Sequence, residues 1–423
     1  MLTASPESFT DLPIRSTVRS QPREQVADLL AWLPDADLAC WVRHGQGLVA
    51  GGRAITRTFT CATEANAWWQ ALVMTLNLEI DPALADEPMA GPIAFLSFPF
   101  SPTGRYEMVV PEVIIGQREG RAWVTTWNEA TPTPPHGVAN AGGQSGRAKT
   151  PHLLQRRTQS REDWLAIVEQ AIRRIRAGEL DKVVLARDET FESSEPIPLR
   201  SIITALAQNY PQTWTFCVKG LVGASPELLV RQDRGLITSR VLAGTIHGEV
   251  GDDSGLAEAL SSSSKDLIEH QYAVASVAEA LRDHTRSLHV PEVPFVLQLP
   301  NVMHLATDIT GVGVEGCTGG SSTVISLAAA IHPSAAVCGT PRAEAAQLID
   351  ELEGLDRGRY AGPVGWINAQ GDGEVALALR CGQVDDRTIR IYAGAGIVAD
   401  SIPADEWEET RAKLRPMTGA LGL

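Results

Sequence analysis

In the stretch LDKVVLAR, Leu180 to Arg187, a lysine opens an apolar run. Val183, Val184 and Leu185 have the character of a buried strand, and Arg176-Ala177-Gly178-Glu179 before them reads as a helix ending at glycine. Lys182 therefore stands at the mouth of the interior. Its stem could pack while its head reaches water, or desolvation could turn it into a base that works near neutral pH. The strand alone leaves both open. Glu227 poses the matching question in LVGASPELLV, where Gly223 and Pro226 interrupt a hydrophobic run and leave a carboxyl among apolar neighbours. Such surroundings raise a carboxyl pKa and suit the group to donate a proton; a glutamate that merely ends a strand is the plainer alternative.

Two pairs of carboxylates come next. Ser262 to Leu288 has the spacing of one long helix capped by Ser263, on which Asp266 and Glu269 share a face. Ser401 to Leu414 reads as another, with Pro403 in its first turn and Glu406, Glu409 and Lys413 aligned. Like charges at these spacings cost a few tenths of a kcal/mol on an exposed helix, so either pair alone is compatible with solvated surface. Facing each other, the helices would offer carboxylate oxygens to a hard divalent cation such as Mg²⁺, which takes one or two protein carboxylates and keeps waters for a substrate oxygen. In GEVALALR, alternation places Ala376, Ala378 and Arg380 on one strand face, a floor for an anionic ligand. Gly394 and Gly396, in YAGAGIV, permit close backbone approach. Neither GxxxxGK[ST] nor a strand-linked GxGxxG occurs.

The elements that must position these groups are legible in outline. Trp164, Ile167, Val168, Ala171, Ile172 and Ile175 mark a helix over Arg161 to Arg176. Residues 91–100 and 111–127 are strand-like, the second stretch a hairpin turning at Glu119-Gly120. Residues 129–160, rich in Pro, Gly, Ser and Thr, read as an exposed connection between a β-rich region, 1–128, and a catalytic region, 161–423, of a single domain. From Gly362 to Val398 the pattern predicts three strands of an antiparallel meander. Strands come in runs rather than alternating with helices, which points to a large, mostly antiparallel α+β fold.

A chain of 423 residues with 44% hydrophobic residues can bury a sizeable core. A net charge of −15 would repel a phosphate backbone, so no nucleic-acid partner is expected. The six cysteines are scattered without a CxxC pair, which suggests neither a zinc site nor a disulfide framework. No export signal or membrane span is visible, and a cytoplasmic location is expected.

Taken in order, LDKVVLAR, GASPELLV, LAGTIHGE, SKDLIEH, NVMHLATDI, HPSAAVCGTPRAEA, YAGPVGW, LALRCGQV, AGAGIVADS and EWEETRAKL closely resemble the chorismate-utilising enzymes, isochorismate synthases above all. The resemblance runs from about Arg161 to the C-terminus. It implies a β-sandwich core flanked by helices, as in aminodeoxychorismate synthase. It further implies an Mg²⁺-dependent isomerisation of chorismate to isochorismate, in which water attacks C2 and the C4 hydroxyl leaves, feeding menaquinone or siderophore biosynthesis. Carried over by position, Lys182 becomes the general base and Glu227 the general acid. Glu269 and Glu409 become the Mg²⁺ carboxylates, with Asp266 and Glu406 behind them. Gly244, Thr245, His304, Tyr360, Arg380, Gly394, Gly396 and Lys413 would line the chorismate pocket.

The same resemblance separates branches. Anthranilate and aminodeoxychorismate synthases generally carry Gln where Lys182 stands and use ammonia, so no glutaminase subunit is expected here. Aminodeoxychorismate synthases tend to place a nucleophilic lysine in PIKGT, where this chain has Val241-Leu242-Ala243-Gly244-Thr245. The alternative is a salicylate synthase, which also eliminates pyruvate. Ala336 favours stopping at isochorismate, while Tyr360 is the residue found in the salicylate enzymes. A non-catalytic chorismate-binding protein is the remaining alternative, and a monomer or weak homodimer is expected.

Overall fold

A computed structural model describes residues 16–24, 28–130, 153–247, 253–299, 302–314 and 322–423. Among them, 13 strands form one sheet and ten another, with every pairing antiparallel except Thr17–Arg23 beside Asn77–Ile80. The first sheet runs in space from Leu153–Thr158 through Lys182–Ser193, Thr388–Ile397, Cys381–Asp385, Leu221–Ser225 and Trp214–Val218 to Ala39–Arg43 and the strands beyond it. The second includes Val302–Gly313, Leu236–His247, Leu228–Asp233, Gly373–Leu377, Pro363–Asn368 and Ile93–Ser97, in that order.

Period-two alternation explains why these strands read as almost unbroken apolar runs: both faces are buried. Along Trp214–Val218, Trp214, Phe216 and Val218 enter a core shared with Phe95, Val364 and Val375 of the second sheet. Cys217 faces the other way, with Cys40, Val42 and Val222, under Ile202, Ile203 and Leu206 of helix Leu199–Asn209 and Leu414 and Met417 of helix Pro403–Leu421. Helices Arg161–Arg176 and Arg342–Leu352 cover the end of that face, where Trp164, Val168 and Leu348 pack on Val183, Leu185, Ala395 and Ile397. The core is thus two sheets face to face, with helices outside.

Several expectations need adjusting. The segment from Gly362 holds four strands rather than three, and they do not form one meander: Pro363–Asn368 and Gly373–Leu377 lie in the second sheet, Cys381–Asp385 and Thr388–Ile397 in the first. The helix expected to reach Leu288 spans Ser264–Arg282, and Thr285–His289 is a strand. The last helix is longer than expected, Pro403–Leu421, and contains Pro416. Within the expected connection, Leu153–Thr158 pairs with the end of Lys182–Ser193; residues 131–152 lie outside the described residues. The helix over Arg161–Arg176 stands, capped by Ser160 Oγ accepting from Asp163 N at 3.0 Å.

The shared core generates a stability contrast. Phe216→Ala should cost about 3–5 kcal/mol in denaturant unfolding, because Phe216 has no exposed surface. Met74→Ala, at a side chain 86% exposed, should leave the midpoint within about 0.5 kcal/mol of the original. Equal effects of the two changes would contradict the packing described.

Candidate active site

Two places where the chain leaves one sheet for the other lie side by side. Ser225-Pro226-Glu227 carries it from Leu221–Ser225 to Leu228–Asp233, and Ala378-Leu379-Arg380 carries it back from Gly373–Leu377 to Cys381–Asp385. Leu377 N donates to Glu227 O at 3.1 Å and Ala224 N to Arg380 O at 3.2 Å, which stitches the crossings together. The strand expected to run through Arg380 therefore stops at Leu377, and Arg380 takes a left-handed φ of 49° in the crossing.

One cavity opens here. Glu227, Gly244, Glu269, His304, Tyr360, Arg380, Gly394, Gly396 and Lys413, all residues singled out through the family resemblance, line it together with Ala336 and Arg357. Lys182, Asp266, Glu406 and Glu409 are not among the lining residues, but Lys182 meets Glu269, Asp266 abuts Gly244 and Glu409 meets Lys413. A larger cavity around Trp41, Arg43 and Trp366 shares none of these residues and holds no lysine.

Burial keeps Glu227 protonated. It is 5% exposed, and desolvation pushes its carboxyl up to about 8, opposed by a bond from the Leu242 backbone and by the charges of Lys182, Arg380 and Lys413. The reading of a glutamate merely ending a strand does not account for that environment.

Lys182 does not snorkel: its whole side chain is buried. Alternation along Lys182–Ser193 turns Val183 and Leu185 toward the helices, so Lys182 shares the opposite face with Val184, which lines the cavity. Its Nζ lies 3.1 Å from Glu269 Oε1, close enough for ion pairing but outside hydrogen-bond geometry, so the ammonium reaches the cavity by way of Glu269. Gly396, paired with Val184, makes room for both: a methyl there would overlap Glu269 Oε1 and come within 3.2 Å of Lys182 Cε.

Glu269 belongs to helix Ser264–Arg282, whose start is fixed by Ser263 Oγ accepting from Asp266 N at 3.3 Å. Asp266 crosses the bulge at Gly244, whose φ is +76° and whose added Cβ would meet Asp266 Cβ at 3.0 Å. Thr245 follows in that bulge, opposite His304; its side chain lies outside the described residues. His304 Nε2 accepts from Arg380 Nη2 at 3.2 Å, since a guanidinium can only donate. Lys413 Nζ donates to Gly394 O at 3.1 Å and to Glu409. Gly394 and Gly396 occupy the same strand face, so Glu269 and the Glu409–Lys413 pair converge on one stretch of backbone. Glu406 is buried on the same last helix.

Glu269 and Glu409 are the carboxylates that could hold a hard cation. Among the described residues no three His, Cys, Asp or Glu side chains are grouped to cage a metal. Glu269 lines the cavity and Glu409 adjoins it through Lys413, each now paired with a lysine; a metal held by these two would be of the kind that takes few protein ligands, as Mg²⁺ does. Nothing in the sequence marks Arg357 or His270 as part of this site. Glu353 and Arg357, four residues apart, look in sequence like a surface ion pair. His270, just after Glu269, is buried with Nδ1 on Ala243 O and Nε2 on Thr307 Oγ1.

Comparison with known proteins is consistent with this geometry. The sequence profile of the family described as chorismate binding enzyme matches residues 42–422, so the likeness extends well before Arg161. Isochorismate synthase DhbC of Bacillus subtilis is 41% identical over 276 residues, covering 62% of this chain and 68% of its own. Isochorismate synthase MenF of the same organism is 37% identical over 268 residues, covering 62% of this chain but only 56% of its own. A solved Bacillus anthracis structure, described as a 2,3-dihydroxybenzoate-specific isochorismate synthase, DhbC, superposes with a TM-score of 0.76 at 31% identity, over 93% of this chain and 99% of that one.

The raised carboxyl of Glu227 makes stability depend on pH. Between about 4.5 and 8 the unfolded chain has lost this proton and the folded chain has not, so stability falls as pH rises through that window. Glu227→Gln removes the effect. Wild type and variant should be about equally stable below pH 4.5, and the variant should gain on the order of 4 kcal/mol over wild type by pH 8, at about 1.4 kcal/mol per pH unit. Urea melts of both proteins across that range would show a constant difference if Glu227 were an ordinary surface acid.

Proposed function

The chain belongs to the chorismate-binding enzyme family, and we propose that it converts chorismate to isochorismate, its product feeding menaquinone or siderophore biosynthesis. The observation that carries this reading is a protonated glutamate at a crossing between the sheets, lining one cavity with Arg380 and Lys413, and a buried lysine that reaches the same cavity through Glu269.

In this reading Lys182 enters the reaction as the neutral amine and takes a proton from water as the water oxygen bonds to ring C2. The ring double bonds shift, and the C4 oxygen leaves with the proton that Glu227 donates. One water enters and one departs, so the reaction is an isomerisation. Arg380, held by His304, and Lys413, anchored on Gly394, pair with the two substrate carboxylates. Glu269 and Glu409 would hold Mg²⁺, with Asp266 and Glu406 behind them. The ion would neutralise a substrate carboxylate, which an acidic protein must otherwise repel.

Purified protein given chorismate and Mg²⁺ should yield isochorismate, detected as fluorescent salicylate once an isochorismate pyruvate lyase is added. Comparable salicylate without the lyase would move the assignment to a salicylate synthase, the outcome that Tyr360 would favour. Lys182→Gln should fold and lose at least about a hundredfold in rate, the usual scale for a general base. Isochorismate formation at near the original rate would remove Lys182 from the chemistry.

The cation reading has its own test. Glu269→Gln and Glu409→Gln should each raise the Mg²⁺ concentration needed for half-maximal activity by about tenfold or more, since each removes a charge at a divalent ion. Unchanged Mg²⁺ titrations in both variants would dismiss the site.

A further inference from the structure

The strand carrying Lys182 is hydrogen-bonded along both edges, but strands supply only part of one. On one side Thr388–Ile397 accompanies it from Val183 to Glu192. On the other, Lys182 and Val183 pair with Gly339–Thr340, Val184 N donates to Cys338 O at 2.7 Å, and Leu153–Thr158 takes over only at Glu189. Between these, two side chains occupy the edge. Glu353 Oε1 accepts from Ala186 N at 2.7 Å, and Arg357 Nη2 donates to Val184 O at 2.7 Å. They are tied to each other, Arg357 Nε meeting Glu353 Oε2 at 2.9 Å and Arg357 Nη2 meeting Glu353 Oε1. The pair offers this edge one acceptor and one donor, as a neighbouring strand would.

Its second attachment reaches the cavity wall. Arg357 Nη1 donates to Val337 O at 3.0 Å, and its guanidinium lies 4.1 Å over the Phe100 ring. Arg357, Val184 and Val337 all line the cavity. Both charges are buried, and a buried ion pair generally contributes little more to stability than apolar groups of the same volume. Its geometry here serves register: one rigid fork fixes the backbone two residues after Lys182 and the backbone next to Ala336.

We infer that Glu353 and Arg357 are positioning residues for Lys182, a side-chain substitute for a missing strand that holds the base in register with the adjoining cavity wall at Val337. The inference rests on the proposed role of Lys182 as base. Displacing a base by a fraction of its reach lowers turnover while leaving substrate affinity nearly intact.

The test compares Glu353→Gln, Arg357→Lys and the double variant Glu353→Leu/Arg357→Met, which leaves no charge unpaired and so keeps a folded chain available. In each folded variant kcat for isochorismate should fall at least about tenfold, with KM for chorismate changed less than about threefold. Deuterium uptake in a peptide covering residues 182–187 should speed up at least about tenfold, while a peptide over Trp214–Val218 stays as in the wild type. Lost turnover with unchanged uptake at 182–187 would overturn the inference, because the pair would then act on substrate directly. A raised KM with kcat preserved would overturn it too, as would variants that match the wild type in every respect. If the wild type made no isochorismate, the proposed function would fall, and the uptake measurement would still decide whether the pair holds the strand.

Discussion

An ammonium with no exposed surface must find its counter-charge inside the protein, and much of the site's arrangement follows from that demand at Lys182. The partner is Glu269, which has to arrive from another element, helix Ser264–Arg282, because no carboxylate lines the same strand face nearby. That helix can come close only where the strands beneath it lack side chains, at Gly244 and Gly396. The glycines, the bulge at Gly244 and the serine cap at Ser263 are therefore all parts of one solution to a charge-burial problem.

The second constraint is the pair of crossings between the sheets. A residue inside a strand shows its side chain to one face or the other. Glu227 and Arg380 sit where the chain passes from sheet to sheet, so they face neither core, and their backbones bond to each other's strands. The apolar walls around that seam keep the Glu227 carboxyl neutral. Guanidinium and ammonium groups beside it pull the other way without winning.

What could be read from the sequence depended on the range of the interaction that sets each feature. Helix Arg161–Arg176, with its serine cap and glycine exit, is fixed by residues within a few positions of one another, and it was legible. The hairpin at Glu119-Gly120, both with positive φ, was legible for the same reason. Which sheet a strand joins is decided by partners hundreds of residues away, so the stretch from Gly362 looked like a single meander although it splits between two sheets. Alternation likewise carried Arg380 onto a strand that ends three residues earlier. Lys182 and Glu227 drew attention by their type in an apolar context, but their convergence followed from the family resemblance, not from spacing. Arg357 escaped notice because a glutamate and an arginine four apart look the same on a wet surface as in a dry core.

Each sheet is also completed from both ends of the chain. Ala39–Arg43 is hydrogen-bonded to Trp214–Val218, and Ile93–Ser97 to Pro363–Asn368. Such pairings close very long loops and bring their entropic cost forward, before any reward from packing. An emerging chain cannot finish its early strands as it is made; their edges must wait for partners that are synthesised later. While they wait, Ala39-Cys40-Trp41-Val42 and Ile93-Ala94-Phe95-Leu96 are exposed apolar strands of the kind that pair with the wrong chain. The architecture that sets the cavity where the chain crosses between two sheets, each closed by strands far apart in sequence, thus makes assembly of those sheets the slow event in folding.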